Sequence, residues 1–154
     1  MSKRGIAYHA GVKSVERSAL VRYTPAQMFA LVSDVASYPR FLPWCAGARA
    51  QAVDANEVIA TVDIARGVLR TSFTTRNRSV PDSAIAMALE KGPFRALRGQ
   101  WNFVPIGEAG SRVSFRVDFE FNNRLMAVAL DAAFESICGT LVSAFVERAK
   151  AVYG

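Results

Sequence analysis

The clearest periodicity in the chain runs from residue 111 to 121, where Val113, Phe115, Val117, Phe119 and Phe121 alternate with Arg112, Ser114, Arg116, Asp118 and Glu120. Strict alternation puts the two sets on opposite faces of a strand, one apolar and one wet. Five strand-like runs precede it, over about 47–53, 57–65, 68–80, 83–90 and 94–105, separated by the turn-forming stretches DAN, RG, PD, KGP and GEAG. Such punctuation predicts an antiparallel meander. A first strand is expected over 15–22, followed by Thr24 as a helix cap and Pro25 at the first helical position. That helix should run to about Val35, with Met28, Phe29, Leu31, Val32 and Val35 on its apolar side, and Pro39 and Pro43 then allow at most a short second helix.

From about 123 to 152 the period changes. Leu130, Phe134, Ile137, Leu141, Phe145 and Val152 recur at helical spacing, and Cys138, Val142 and Ala149 widen the stripe, as in a long helix laid along an apolar sheet. Gly139 interrupts it at a cost of about 1 kcal/mol relative to alanine, so a close neighbour is expected there: the sheet, a side chain or a bound molecule. The order predicts an α+β protein in which a curved antiparallel sheet of about seven strands covers one long C-terminal helix, with two short helices after the first strand. Residues 15–154 make a single domain; residues 1–14 have no sustained period and are expected to be a flexible extension.

Composition narrows the chemistry. At 154 residues and 51% hydrophobic, with ten Phe, the chain can bury a core without disulfides. His9 is the only histidine, which leaves neither a histidine-based triad nor a histidine-ligated metal. Cys45 and Cys138 lack metal or redox spacing and suit a reducing cytoplasm. No run is read as a membrane span or a secretory leader. The formal charge is +6, and residues 66–98 concentrate it: Arg66, Arg70, Arg76, Arg78, Lys91, Arg95 and Arg98 stand against only Asp82 and Glu90.

One strand, short helices, six more strands and a terminal helix is the order of the helix-grip (START/Bet v 1-like) fold, and five stretches carry a closer resemblance. RSALVRYTPAQMFALVSDVASYPRFLPWC (17–45), FTTRN (73–77), GPFRALRGQWNF (92–103), DFEFNNRL (118–125) and AFVERAKAVYG (144–154) resemble the coenzyme-Q-binding START-domain family and its bacterial branch, the ribosome association toxin A group, within the polyketide cyclase/dehydrase-like superfamily. The resemblance implies a non-catalytic protein that holds ubiquinone or a related polyprenyl lipid in an internal cavity and supports respiration or quinone biosynthesis. For the bacterial branch it implies a second activity: binding the large ribosomal subunit and blocking subunit association. A cytoplasmic protein, peripheral to the inner membrane or touching a respiratory complex when it exchanges lipid, follows; a catalytic cofactor, a metal and DNA do not.

Candidate residues fall into two groups. Tyr38, Phe41, Leu42, Pro43 and Trp44 are expected to form a proline-stiffened cavity mouth, or else a corner of the core. Phe73, Trp101, Phe103, Phe115 and Phe119 from the strands and Phe134, Ile137, Leu141 and Phe145 from the helix are expected to face inward, where alternation alone does not separate cavity wall from packed core. Period 2 turns Arg70, Arg76 and Arg78 outward; with Arg95 or Arg98 beside them they could engage phosphates of ribosomal RNA, the alternative being a solvated face balanced by Asp118 and Glu120. Asp63 is expected to face water opposite Val58, Ala60, Val62 and Ile64, and no constellation of acid, base or nucleophile converges on one face.

Overall fold

The computed structural model describes residues 11–154, so residues 1–10 of the expected extension lie outside the described range, while Lys13 and Ser14 already belong to the first strand. The elements are β1 (Lys13–Val21), α1 (Pro25–Ser33), a 3-10 helix (Val35–Arg40), β2 (Cys45–Asp54), β3 (Glu57–Arg66), β4 (Leu69–Val80), β5 (Ala84–Lys91), β6 (Phe94–Ile106), β7 (Gly110–Phe121) and α2 (Arg124–Tyr153). All seven strands form one antiparallel sheet in the order β1-β7-β6-β5-β4-β3-β2. The meander therefore runs from β2 to β7, and β1 returns the start of the chain to the far edge beside β7, with Val15 opposite Val117.

Local chemistry explains the boundaries. Thr24 and Gln27 form a reciprocal capping box: Gln27 N–H donates to Thr24 Oγ1 at 3.1 Å and Thr24 N–H donates to Gln27 Oε1 at 2.8 Å. α1 stops at Ser33 rather than Val35 because Asp34 leaves helical geometry, at φ −85° and ψ 70°, and the chain re-enters as a 3-10 turn that carries Pro39. The β3–β4 hairpin turns through Gly67 at φ +59°, where a side chain would be strained. Asn123 caps α2 by accepting from Met126 N–H at 2.8 Å.

The concave face of the sheet wraps α2. Val113, Phe115, Val117, Phe119 and Phe121 are all buried, and they meet Phe134, Ile137, Cys138, Val142, Phe145 and Ala149 from the helix. Leu130 and Leu141 are only half-buried and Val152 is exposed. The neighbour at Gly139 is a side chain: the Arg17 guanidinium from β1 would lie 3.2 Å from any Cβ there. By length and composition alone α2 could cross a membrane; here Phe134, Ile137, Val142 and Phe145 are buried, while Leu125 and Val128 near its start are exposed.

Candidate functional site

Between the concave sheet and the helices lies a chamber of about 130 Å³, with an adjoining pocket of about 60 Å³ that shares Trp44, Phe73, Met87, Phe115 and Leu141 as walls. Strand alternation builds most of it. β3 contributes Val58, Ala60 and Val62, β4 contributes Phe73, Thr75, Asn77 and Ser79, and β5 contributes Ile85 and Met87. Trp101 of β6, Phe115 of β7, Leu141 and Phe145 of α2, Val35 and Tyr38 of the 3-10 helix, and the end of α1 with Val32 and Ser33 complete the lining. The aromatic wall is continuous: Trp101 packs 4.5 Å from Phe115 and 5.4 Å from Phe145, centroid to centroid.

The expected cavity residues therefore divide. Tyr38, Trp44, Phe73, Trp101, Phe115, Leu141 and Phe145 line the main chamber, and Phe134 and Ile137 line the adjoining pocket. Phe103 and Phe119 line neither: Phe103 lies parallel to Trp101 and edge-on to Phe29, and Phe119 packs 4.8 Å from Phe134. Of the five mouth residues, Leu42 is core at 1% exposure, Phe41 packs on Phe145 with the Arg148 guanidinium 5.0 Å over its ring, and Leu42, Pro43 and Trp44 border an outer cleft. That cleft, about 510 Å³, runs between them and Thr140, Ser143, Ala144 and Glu147 of α2; Trp44 separates it from the chamber.

Val58, Ala60, Val62, Ile85 and Met87 were not singled out by sequence as cavity wall, although the alternation in β3 marks that strand's inward face. The more consequential omission is polar. Thr75 and Asn77 are 3% and 9% exposed, and Thr75 Oγ1 donates to Asn77 Oδ1 at 2.7 Å. Their cross-strand neighbours are apolar: Thr75 sits between Ala60 and Leu89, and Asn77 between Val58 and Met87. Asn77 Nδ2 has no hydrogen-bond partner among the described residues. A buried amide left unpaired costs about 1–3 kcal/mol.

Ionisable groups at the chamber are unsuited to acid–base work at neutral pH. Tyr38 is the one titratable side chain in the main lining; its hydroxyl donates to Val32 O at 2.5 Å, and burial, helped by nearby Cys45 and Asp34, holds its pKa far above that of an ordinary phenol. Burial pushes the Cys138 thiol in the adjoining pocket up to about 12. Asp63 faces outward, as expected, and hydrogen bonds from Ser72 and Arg49 hold its carboxyl below the usual range. The described residues contain no cluster of three metal-ligating side chains.

On the opposite face of the sheet lies a groove of about 430 Å³ whose floor is Ala86, Ala88 and Gly99 and whose walls carry Arg76, Arg78, Arg98 and Arg116. Arg98 joins Arg76 and Arg78 as the outward alternation allowed, and Arg116 is a fourth member that sequence placed outward without assigning a role. Arg70 and Arg95 do not join them: Arg70 stands opposite Ala65 near the other end of β4, and Arg95 pairs with Glu120 at 3.6 Å. Much of the groove's charge is balanced. Arg76 holds Glu57 at 2.7 Å and Glu90 at 3.2 Å, Arg78 reaches Glu57 at 3.6 Å, and Arg116 pairs with Asp118 at 3.1 Å. Arg98 has no carboxylate partner among the described residues.

The family model for polyketide cyclase / dehydrase and lipid transport matches residues 21–146. Ribosome association toxin RatA of Vibrio cholerae is 43% identical over 143 residues, covering 93% of this chain and 99% of that protein. The mitochondrial coenzyme Q-binding protein coq10 of Schizosaccharomyces pombe is 28% identical over 138 residues, covering 86% of this chain and 84% of its own. Among solved structures, the Zhui aromatase/cyclase of a Streptomyces species superposes with a TM-score of 0.79 at 15% identity, over 90% of this chain and 94% of that one; at that identity the likeness is one of fold.

Proposed function

From its place in the polyketide cyclase / dehydrase and lipid transport family, to which the chain belongs in the branch of the ribosome association toxins and coenzyme Q-binding proteins, we propose that it is a non-catalytic binder of ubiquinone or a related polyprenyl quinone. The observation that carries this reading is the chamber itself: aromatic, buried, and without a group able to move a proton at neutral pH. Its volume sets how the ligand sits. A cavity of about 150 Å³ holds one benzene ring, so a substituted quinone head fills the chamber of about 130 Å³ together with the adjoining pocket of about 60 Å³, and the tail lies outside them. Each CH₂ of the tail covered by apolar surface there contributes about 0.8 kcal/mol. Exchange then takes place at a membrane surface, with the protein otherwise in the cytoplasm.

The test is organic extraction and mass spectrometry of the protein purified from a ubiquinone-producing bacterium, beside the variant Ala60→Leu. Ala60 is a buried wall residue, so the added methylenes fill the chamber instead of emptying the core. Stoichiometric quinone in the wild type and its loss from the folded variant support the reading. A wild type that carries no quinone and takes up none when offered it overturns the reading.

A second reading, association with the large ribosomal subunit, is favoured by the outer arginine groove and by the higher identity to the relative named for ribosome association, 43% against 28%. It uses a different surface from the chamber. Sedimentation with purified large subunits tests it: Arg78→Ala combined with Arg98→Ala should release the protein, and retention would remove the groove from consideration.

A further inference from the structure

Thr75 and Asn77 are a buried polar pair whose neighbours across both adjoining strands are apolar, with Ser79 next along the same face of β4. The hydroxyl of Thr75 is spent on Asn77 Oδ1, which fixes the amide so that its Nδ2 and both N–H bonds are left for the chamber. Across the chamber stand Trp101, Phe115 and Phe145, rings without a polar atom directed at the pair by any hydrogen bond among the described residues. A donor with no acceptor, facing a cavity the size of one ring, selects for a ring that brings its own acceptor.

We propose that Asn77, oriented by Thr75, is the specificity-determining residue of the chamber and that the ligand it selects is a carbonyl-bearing ring, held with one carbonyl oxygen on Asn77 Nδ2. This deepens the quinone reading and rests on it, since it assigns the orientation and the selectivity of the same site. Apolar contacts alone would bind any flat ring with an alkyl tail; the Asn77 amide makes a ring without an acceptor the poorer ligand, because binding it seals a donor away from water. Of the two carbonyls of a benzoquinone, the one facing β4 meets the Asn77 amide, beside the hydroxyl of Ser79 on the same strand. The other faces the aromatic wall.

The experiment uses decylubiquinone, followed by quenching of the Trp44 and Trp101 fluorescence, and n-decylbenzene as a competitor that lacks the carbonyls. The proteins are the wild type, Asn77→Leu, and the double variant Thr75→Val with Asn77→Leu, which replaces both partners by residues of similar shape. The expected result is a loss of tenfold or more in decylubiquinone affinity in both variants, with displacement by n-decylbenzene retained. The infrared spectrum of bound decylubiquinone should show one carbonyl stretch shifted in the wild type and neither shifted in the variants. Unchanged affinity and unchanged carbonyl frequencies in Asn77→Leu would overturn the assignment while leaving the chamber as a ligand site. Failure of both compounds to bind folded wild type would overturn the quinone reading and this inference together.

Discussion

At the scale of single residues, the chamber is built at the expense of stability. The Thr75–Asn77 pair lies where Val and Leu would pack between Ala60, Leu89, Val58 and Met87, and its amide finds no acceptor among the described residues. The ligand-free Thr75→Val, Asn77→Leu double variant should therefore be more stable than the wild type by about 1–3 kcal/mol in urea unfolding; a loss of stability would mean that the amide already has a partner. Cys138 gives a residue-level signature in pH. Its folded pKa of about 12 lies above the ordinary thiol value of 9.0, so the folded state binds more protons between those limits and stability falls as pH rises from about 9 to 12. Cys138→Ala should show a shallower decline than the wild type over that window, measured by denaturant midpoints at each pH. Equal slopes would place the thiol in a wetter site. The alternation that turns Arg76 and Arg78 outward turns Phe73, Thr75 and Asn77 to the other face, because period 2 is a property of any strand. It did not distinguish Phe115, which meets open space, from Phe119, which meets Phe134 at 4.8 Å, since both obey the same alternation and differ only in what the helix presents opposite them.

At the scale of elements, legibility followed the strength of the local signal. Thr24, Pro25 and Gln27 encode the start of α1 within three residues of one another, and the start is where it was expected. Its end was misplaced because Val35 continues the apolar spacing while Asp34 breaks the backbone, and spacing does not record backbone angles. The YPRFLPWC corner illustrates a further limit: neighbouring apolar residues there serve a chamber wall at Tyr38 and Trp44, the core at Leu42, and a cation over the ring at Phe41. Which of these a side chain serves depends on α2, about a hundred residues away in the chain. α1 matters beyond its own stability, because Val32 and Ser33 at its end line the chamber. Removing the cap with Thr24→Ala should cost about 0.5–2 kcal/mol by thermal or chemical unfolding and loosen the chamber's helical wall, so bound decylubiquinone should also dissociate faster. An effect on stability with no effect on dissociation would confine α1 to a structural role.

At the scale of the whole molecule, one strand carries both candidate surfaces. Along β4, Thr75 and Asn77 point into the chamber while Arg76 and Arg78 point into the outer groove, so the two sites are separated by the thickness of a single sheet. That proximity does not by itself couple them, because the backbone between them is held by paired neighbours, β3 on one side and β5 on the other. The expectation is independence. Ala60→Leu should empty the chamber and leave sedimentation with large subunits unchanged, whereas Arg78→Ala with Arg98→Ala should weaken sedimentation and leave quinone content unchanged. The salt dependence adds a quantitative check, since each arginine that contacts a phosphate contributes about 1 to the slope of log affinity against log salt. Arg98, without a carboxylate partner, should contribute its full share when removed; Arg76, held by Glu57 and Glu90, must give up those pairs to reach a phosphate and should contribute less. Equal slopes for Arg76→Ala and Arg98→Ala would mean that the ion pairs on this face are too exposed to compete with a phosphate, and a chamber variant that also releases the subunit would show that the two faces of β4 are linked.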